Sequence, residues 1–566
     1  MRYVNQKRLI IVYIAVMLFA GLIFFRLYTI AVSDFAQILP ALNHQHTRRL
    51  NIVERRGFIF DRHGKIIAGH PGLYNSLVDP SKIGLYLNDY GYPETVYDAA
   101  EKLSRISANL DSDDILRKIR NGVPFIIQTR ESLNNHYVKS YLTHRRAAAG
   151  NPAAHIIGYL NRDRQGVTGI EAVYNDFLEK TGARVFAVWD ADALGRSFRG
   201  MPVSITERGY ESMTGITLTL DLELQENIER IADNMLKMGA IVVACTSTGE
   251  ILSSVSRPVF SLDNLAHYID SENGEFINRA FSAFTPGSVF KTVIAGAALE
   301  LDPRFYNWEY YCTGSIDVFG QNFTCHRRWG HGALNMTEAY ANSCNTYFMT
   351  LALELGYDII RQTARNLGIG EASFLDGISV SRGNIPSIHN PPPAFTANAA
   401  IGQGELLMTP LEAARIFCAV ANGGIMPELS LVKSFIFERE TSDSRNTSSR
   451  RVFSERTAGY LSEMARAVVQ TGTGVRAAPE YGAAGGKTSS AESGQFRERE
   501  NEYGEPVREQ IVHSWFSGFY PACPGRVPLY SITVIAEGGV NDNIRSTEIF
   551  REIANHLGKR AGIEPR

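Results

Sequence analysis

The chain has 566 residues, which is too long for one small core and fits two or three domains. Its 57 Lys and Arg residues nearly balance 59 Asp and Glu residues, and the formal net charge is -2. This balance gives no electrostatic case for a nucleic-acid partner, which needs a clustered basic surface.

An uncharged apolar run over residues 9–25 is long enough to span a bilayer as a helix. Arg2, Lys7 and Arg8 precede the run, and no acidic residue occurs before Asp34. The positive-inside bias therefore predicts a cytoplasmic tip and single-pass anchor over residues 1–32, with the rest of the chain outside the membrane. A cleaved signal peptide and a buried core helix are the alternatives. The length of the run and the bulky residues after it argue against a signal peptide.

Residues 33–212 form a second segment of mixed character. The pattern predicts a strand with the alternating Phe58 and Phe60, followed by a turn at Asp61 to Gly64. Residues 166–171 are also rich in turn-forming residues. From residue 213 the pattern changes to that of a larger α/β unit.

The spacing of apolar residues predicts helices and strands within this α/β unit. Helices are expected at 222–238, 288–301, 336–355 and 410–422, and strands at 240–245, 429–437, 513–520 and 529–537. Two inserts at 438–451 and 493–510 carry almost no apolar residues, so we expect exposed loops there.

The six cysteines are Cys245, Cys312, Cys325, Cys344, Cys418 and Cys523. In an extracytoplasmic protein, Cys312 and Cys325 could close a short disulfide loop, but two free thiols fit the sequence equally well. No C-x-x-C pair is present and the 13 histidines are scattered, so we predict no metal site.

Ser288 and Lys291 are three positions apart at the start of an apolar helical stretch. Residues at i and i+3 share a helix face, so a hydroxyl nucleophile would lie beside an amine able to act as its base. Burial would lower the pKa of the Lys291 ammonium towards the neutral form that a base requires. The alternative is a helix-capping serine followed by a solvated lysine.

A second S-x-x-K copy, Ser430 to Lys433, lies in a strand-like stretch. Residues three apart in a strand point to opposite faces, so these two side chains could not cooperate. Only the copy at Ser288 has suitable geometry.

Two further patterns lie downstream of Ser288. Ser343 and Asn345 form S-x-N at the start of an apolar helical stretch, where capping is the alternative role. Lys487 and Thr488 follow two glycines in a strand-like stretch, and a lysine beside a hydroxyl can bind a carboxylate.

The order S-x-x-K, S-x-N and K-T resembles the motifs of penicillin-binding proteins and class A β-lactamases. The stretches that strengthen this resemblance are Thr219 to Asp221, Asn278 to Ala280, Gly330 to Gly332, Gly402 to Gly404 and Trp515 to Phe519. With no glycosyltransferase domain before the second segment, the chain is identified as a member of the class B penicillin-binding proteins.

This resemblance implies a mixed α/β fold. A penicillin-recognising transpeptidase domain, an antiparallel sheet flanked by helices, would occupy residues 213–566. An elongated β-rich pedestal of the dimerisation type would occupy 33–212, after the transmembrane helix.

The resemblance also implies roles in D,D-transpeptidation of peptidoglycan stem peptides. Ser288 would be acylated by the penultimate D-Ala and by β-lactams, with Lys291 as its base. Ser343 would pass a proton to the leaving amine. No metal or cofactor would be needed.

Substrate binding is assigned to the remaining motif residues by the same resemblance. Asn345 would hold the peptide amide, and Lys487 with Thr488 would hold the terminal carboxylate. The backbone N-H groups of Ser288 and Ser490 would form the oxyanion hole.

One residue departs from the family pattern, because Ser489 stands where glycine usually follows Lys-Thr. In a strand, Ser489 shares a face with Lys487, and its side chain could crowd the site or brace the neighbouring helix. We expect altered acylation by β-lactams, with transpeptidation retained.

The resemblance places the chain in the bacterial cell membrane with a glycan polymerase or with divisome or elongasome proteins as partners. It does not separate elongation, division and sporulation. The alternatives are a catalytically weak cell-wall scaffold of the same fold, a β-lactam sensor and a β-lactamase.

Overall fold

The computed structural model describes residues 2–33, 46–85, 87–146, 150–198, 201–371, 373–437, 440–444, 448–500, 505–522 and 527–565. The chain forms two compact units. Unit 1 is Met1–Arg56, Pro71–Arg145 and Gly182–Ser212, and unit 2 is Gly57–His70, Arg146–Thr181 and Met213–Arg566. The domain division at residues 212 and 213 stays a prediction.

The α-helices are α1 (Arg2–Tyr28), α2 (Val96–Ile106), α3 (Ser112–Asn121), α4 (Ala154–Ile157), α5 (Gly169–Val173), α6 (Asn175–Lys180), α7 (Leu222–Met235), α8 (Lys291–Leu301), α9 (Met336–Ala341), α10 (Asn345–Leu355), α11 (Tyr357–Asn366), α12 (Pro393–Ala400), α13 (Pro410–Ala421), α14 (Glu455–Gln470) and α15 (Ser546–Arg560). Short 3-10 turns are Pro80–Lys82, Leu262–Tyr268, Arg279–Phe281, Gly287–Phe290, Pro303–Asn307 and Val475–Ala477, and a short π-helix spans Thr29–Ser33.

The strands are β1 (Thr47–Arg55), β2 (Phe58–Phe60), β3 (Ile66–Ala68), β4 (His70–Val78), β5 (Phe125–Thr129), β6 (Val138–Arg145), β7 (Ala183–Asp190), β8 (Ser204–Arg208), β9 (Gly215–Leu218), β10 (Gly239–Cys245), β11 (Ile251–Arg257), β12 (Tyr310–Cys312), β13 (Ser315–Val318), β14 (Gln321–Thr324), β15 (Gly332–Leu334), β16 (Ser373–Leu375), β17 (Ile378–Val380), β18 (Ile425–Pro427), β19 (Val432–Phe437), β20 (Glu440–Asp443), β21 (Ser449–Arg451), β22 (Gly485–Glu500), β23 (Pro506–Tyr520) and β24 (Tyr530–Ala536).

The predicted membrane span is helical, and α1 carries it. Within Lys7–Val32, an 18-residue window has a mean hydropathy of 2.5, and none of that window is buried within the chain. A free apolar helix of this length fits a single-pass anchor.

Unit 1 contains two three-stranded sheets, with the strand orders β1-β7-β8 and β5-β4-β6. Helices α2 and α3 bury apolar faces in a small core that includes Leu103, Ile115 and Ile127. Helix α2 begins with a capping box in which Thr95 and Asp98 bond each other's backbone N-H groups. The unit is therefore rich in strands.

The main sheet of unit 2 has five antiparallel strands in the order β11-β10-β24-β23-β22. Strand β10 alternates between two cores, as the period of two requires. Ile241 and Val243 pack in the core that also contains residues of α7 and α15, while Val242 packs in the larger core that contains residues of α8 and α13. Helices therefore cover both faces of this antiparallel sheet.

A second five-stranded sheet in unit 2 has the order β20-β19-β9-β2-β3, with β2 parallel to β9. It contains the strand and turn predicted near Phe58. In the turn, Asp61 Oδ1 accepts the backbone N-H groups of His63 and Lys65, each at 2.8 Å. Strand β19 carries Lys433, whose Nζ donates to the carbonyl oxygen of Arg62 at 3.0 Å.

The predicted helix 336–355 is wrong as a single element, because it breaks between α9 and α10. Ser343 lies in the break with a φ of 54°, so no α-helix can pass through it. The two loop predictions also need correction. The described parts of the inserts form β20, β21 and the distal part of a long β22–β23 hairpin, although most of these residues are exposed as expected.

Candidate active site

Ser288 lies in the 3-10 turn Gly287–Phe290, immediately before α8. Gly287 has a φ of +52°, and a Cβ on it would lie 2.2 Å from Ser489 Oγ. Only glycine therefore fits this close approach between the turn and β22. Val289 and Phe290 are buried and fix the turn, which leaves Ser288 half-buried in a cavity.

Lys291 is the first residue of α8 and is fully buried. Its Nζ donates hydrogen bonds to the carbonyl oxygen of Ser343 at 2.7 Å, to Ser343 Oγ at 3.2 Å and to Asn345 Oδ1 at 2.7 Å. Burial lowers the pKa of the Lys291 ammonium to about 7, and Coulombic attraction to Cys344 and Cys325 partly opposes this effect. A neutral amine is therefore accessible near neutral pH.

Lys487 on β22 is also fully buried and approaches the same hydroxyl. Its Nζ donates to Ser343 Oγ at 2.9 Å and to the carbonyl oxygen of Thr488 at 3.1 Å. Burial lowers the pKa of the Lys487 ammonium well below its usual range, and the charge of Lys291 lowers it further. Two buried ammonium groups around one hydroxyl repel each other, which favours loss of one proton from the pair.

The break between α9 and α10 presents Ser343 and Asn345 to these two lysines. A helix through residues 342–344 would carry Ser343 along the α9 axis, whereas the left-handed backbone at Ser343 turns its hydroxyl between Lys291 and Lys487. The alternative role for Ser343 was helix capping, but its hydroxyl contacts Lys291 and Lys487 instead.

The three serine and threonine residues after Lys487 differ in their contacts. Thr488 Oγ1 and Thr473 Oγ1 are 2.6 Å apart, and Ser490 is exposed. Ser489 is 6% exposed, and its Oγ accepts a hydrogen bond of 2.7 Å from the backbone N-H of Ser288.

A cavity of about 360 Å³ joins these motifs. Six of the eight predicted site residues line this cavity: Ser288, Ser343, Asn345, Thr488, Ser489 and Ser490. The other two, Lys291 and Lys487, are fully buried and contact the lining residue Ser343. His326, Thr473 and Arg545 also line the cavity, and the sequence patterns did not indicate them. Arg545 precedes α15 and brings a positive charge to the cavity.

Four side chains that could hold a metal ion lie behind the S-x-N segment. Cys312, Cys325, His331 and Cys344 place their ligand atoms within 4.8 Å of one another. His331 Nδ1 is 3.6 Å from the sulfur atoms of Cys312 and Cys325, and the Cys325 and Cys344 sulfur atoms are 3.9 Å apart. These separations match the edges of a tetrahedron with Zn–S bonds of about 2.3 Å.

Neighbouring donors also fit thiolate ligands in this cluster. The backbone N-H of Asn345 donates to Cys325 Sγ at 3.4 Å, and Thr346 Oγ1 donates to Cys312 Sγ at 3.2 Å. The cysteines 312 and 325 are free thiols, so the disulfide alternative does not describe this structure. The sequence argument missed the cluster because its ligands are 13, 6 and 13 positions apart and contain no C-x-x-C.

Comparison with known proteins identifies the family. Residues 239–555 match the model of the penicillin binding protein transpeptidase domain. The chain belongs to this family. The match includes Ser288, Ser343 and Lys487, and the resemblance to class B penicillin-binding proteins is confirmed.

Two curated relatives cover most of the chain. Stage V sporulation protein D of Bacillus subtilis is 26% identical over 538 residues, which are 92% of this chain and 80% of that protein. Peptidoglycan D,D-transpeptidase MrdA of Escherichia coli is 25% identical over 488 residues, which are 76% and 74% of the two chains.

Solved structures have the same fold. Penicillin binding protein 3 of Mycobacterium tuberculosis, complexed with aztreonam, superposes with a TM-score of 0.62 at 21% identity and covers 92% of this chain and 98% of its own. The penicillin-binding protein PBP2 of Helicobacter pylori, in complex with MreC, gives 0.62 at 20% identity, with 91% and 99% covered. The predicted mixed α/β transpeptidase fold is thereby confirmed.

Proposed function

We propose that this class B penicillin-binding protein is a peptidoglycan D,D-transpeptidase that cross-links stem peptides through an acyl-serine intermediate. The observation that carries the proposal is the convergence of Lys291 and Lys487 on Ser343 beside the half-buried Ser288. The name of the relative from Escherichia coli, peptidoglycan D,D-transpeptidase MrdA, supports the same activity. The same serine would be acylated by β-lactams.

Acylation begins with a proton transfer from the Ser288 hydroxyl to the neutral amine of Lys291. Ser288 Oγ bonds to the carbonyl carbon of the penultimate D-Ala, and the carbonyl oxygen becomes an oxyanion facing the backbone N-H groups of Ser288 and Ser490. Ser343 then gives its hydroxyl proton to the amide nitrogen of the terminal D-Ala and takes a proton from the Lys291 ammonium. The C–N bond breaks, free D-Ala leaves, and the acyl group stays on Ser288.

Substrate placement would use the polar side chains around the cavity. Asn345 can donate from its Nδ2 to the donor peptide while its Oδ1 accepts from Lys291. Lys487 and Thr488 would hold the terminal carboxylate by charge-assisted hydrogen bonds. In the second half of the reaction, an acceptor amine attacks the ester carbon and loses a proton to the neutral amine of Lys291. The ester C–O bond breaks, and Ser288 Oγ takes this proton back from Lys291.

We further propose that residues 1–32 anchor the chain with a cytoplasmic N-terminus, and that residues 33–212 are the pedestal of an extracytoplasmic enzyme. The basic residues Arg2, Lys7 and Arg8 before the apolar helix support this orientation. A glycan polymerase or elongasome proteins are the proposed partners. The Helicobacter pylori PBP2 complex with MreC is a relevant precedent.

The cluster of three cysteines and His331 fits a structural zinc ion. A closed Cys₃His set supplies no open position for substrate, so its contribution would be to folding. Because Cys344 lies between Ser343 and Asn345, a bound ion would fix the segment that carries both side chains.

The test uses a fluorescent penicillin and a synthetic stem pentapeptide with an acceptor amine. The wild-type protein should carry a persistent label and form the cross-linked product with release of D-Ala, and Ser288→Ala should do neither. Ser430→Ala is the matched control, because it alters the second S-x-x-K copy and should label normally. No label on the wild-type protein would indicate the scaffold, and rapid loss of label would indicate a β-lactamase.

A further inference from the structure

Ser489 on β22 is not a solvent-exposed strand serine, because its side chain is buried against the turn that carries Ser288. It lies on β22 between Lys487 and Ala491, which face the same side and are also buried. The Ser489 hydroxyl is the nearest atom to the space above Gly287. The hydroxyl thus fills the narrow gap between the strand and the turn.

The contact made there involves a group that the proposed reaction needs. The Ser288 backbone N-H donates to Ser489 Oγ at 2.7 Å. A backbone N-H has one hydrogen, and it cannot make full hydrogen bonds to two acceptors at once. In the free protein, the Ser489 oxygen therefore occupies the position from which a substrate oxyanion would accept this hydrogen bond.

We propose that the Ser489 hydroxyl is an internal plug of the oxyanion hole: it occupies the Ser288 N-H in the free protein, and every acylating ligand must displace it. This inference rests on the proposed function, since it uses the Ser288 N-H as an oxyanion donor. Ser489 can leave by a change of χ1 to another staggered rotamer, and the N-H then becomes available. A side-chain hydroxyl held by the strand competes more effectively than a water molecule that exchanges freely with solvent.

The plug acts on the oxyanion and not on the rest of the ligand, so its effect should be similar for ligands of different shape. One ordinary hydrogen bond sets the size of the effect, about 3- to 10-fold in rate. The plug makes Ser489 a positioning residue for the Ser288 N-H, because it limits when that donor can reach substrate.

The experiment measures acylation of the full-length protein by a fluorescent penicillin in stopped flow, and binding of a boronic acid whose tetrahedral oxygen enters the oxyanion hole. Ser489→Ala and Ser489→Gly should both acylate about 3- to 10-fold faster than wild type and should bind the boronic acid more tightly by a similar factor. Ser531→Ala is the matched control. It removes a buried hydroxyl from β24 that donates to the carbonyl oxygen of Ala414 at 2.8 Å, and it should leave both measurements unchanged.

Three results would contradict the proposal that Ser489 plugs the oxyanion hole. Unchanged or slower acylation in Ser489→Ala would show that the hydroxyl does not compete with the oxyanion. Faster acylation in Ser489→Gly alone would assign the effect to crowding by Cβ. Faster acylation without tighter boronic acid binding would place the effect outside the oxyanion hole. A wild-type protein that takes no label would instead contradict the proposed function, so the two failures are distinguishable.

Discussion

The Lys487 ammonium donates a 2.9 Å hydrogen bond to the hydroxyl of Ser343, the same oxygen that Lys291 approaches at 3.2 Å. This shared contact links the β22 motif to the motif on α8 through one hydroxyl. The Ser343 hydroxyl is the one side-chain oxygen that, among the hydrogen bonds described for the two lysines, contacts both of their amines. The relationship makes Ser343 the centre of the proposed proton path.

Ser343→Ala should lower the rate of acylation by about 10²- to 10⁴-fold, because it removes the group proposed to carry the proton to the leaving nitrogen. The measurement is single-turnover acylation by a fluorescent penicillin, with the stem pentapeptide as a second substrate. Ser517→Ala is the control, since Ser517 is buried on the neighbouring β23 and bonds to Thr533 at 2.6 Å. Acylation within twofold of wild type in Ser343→Ala would contradict the proposed path.

The acylation rate should rise with pH through about 7, the pKa to which burial lowers Lys291. The sign follows from the role of the amine: only neutral Lys291 accepts a proton, and the neutral fraction increases as pH rises through the pKa. Below pH 7 the rate should therefore fall about tenfold per unit. The charged or titratable groups around Lys291 are Lys487, Cys325 and Cys344.

Lys291→Arg provides the matched test of that assignment. Arginine keeps the positive charge but cannot be deprotonated in a protein, so acylation should fall by at least about 10²-fold at every pH. A flat profile between pH 5.5 and 8.5 in the wild-type protein would assign the base to another group. So would an arginine variant that retains the wild-type profile.

Sequence reasoning was most successful where the relevant geometry is local. Ser288 and Lys291 are three residues apart, and the structure places Ser288 in the turn that lines the cavity and Lys291, buried, at the start of the helix that follows. The helix break at Ser343 was missed because apolar residues continue on both sides of it. At that break, Ser343 accepts hydrogen bonds from Lys291 and Lys487. Both lysines are distant from Ser343 in the sequence, so no local pattern indicates these contacts.

The β22–β23 hairpin was missed for a different physical reason. Its distal part is polar on both faces, so it lacks the alternation by which strands are recognised. Opposite charges on paired strands accompany the pairing instead, as in the 3.0 Å contact between Arg497 and Glu509. The metal-ligand cluster was likewise hidden, because its four residues come together only when the strands β12, β14 and β15 and helix α10 are assembled.

The purified protein should contain about one zinc ion per chain when zinc is supplied during expression. Cys325→Ala should lose the metal and unfold at a lower temperature, because binding to a closed set of four ligands contributes to folding. Metal content by mass spectrometry and the melting temperature check this. Cys418→Ala, which removes a buried thiol outside the cluster, should keep the zinc. A zinc content below about 0.1 per chain would exclude the site.

Gly287→Ala should destabilise the protein by about 2 kcal/mol or more, since the added Cβ meets both a positive φ and Ser489 Oγ at 2.2 Å. Gly423→Ala isolates the first effect, because Gly423 has a φ of +60° with no atom within 4 Å of the Cβ position, and it should cost about 1 kcal/mol.

Ser489→Gly in the Gly287→Ala background removes the nearest clashing atom. It should recover part of the lost stability, while the same change in the Gly423→Ala background should recover none. Recovery should be incomplete, because Ala491 Cβ still lies 3.0 Å from the added atom. Urea unfolding of the single and double variants measures these differences. Equal costs for the two glycine substitutions would show that the turn moves away from β22 freely, and the close approach of Ser288 to Ser489 would then not be enforced by packing.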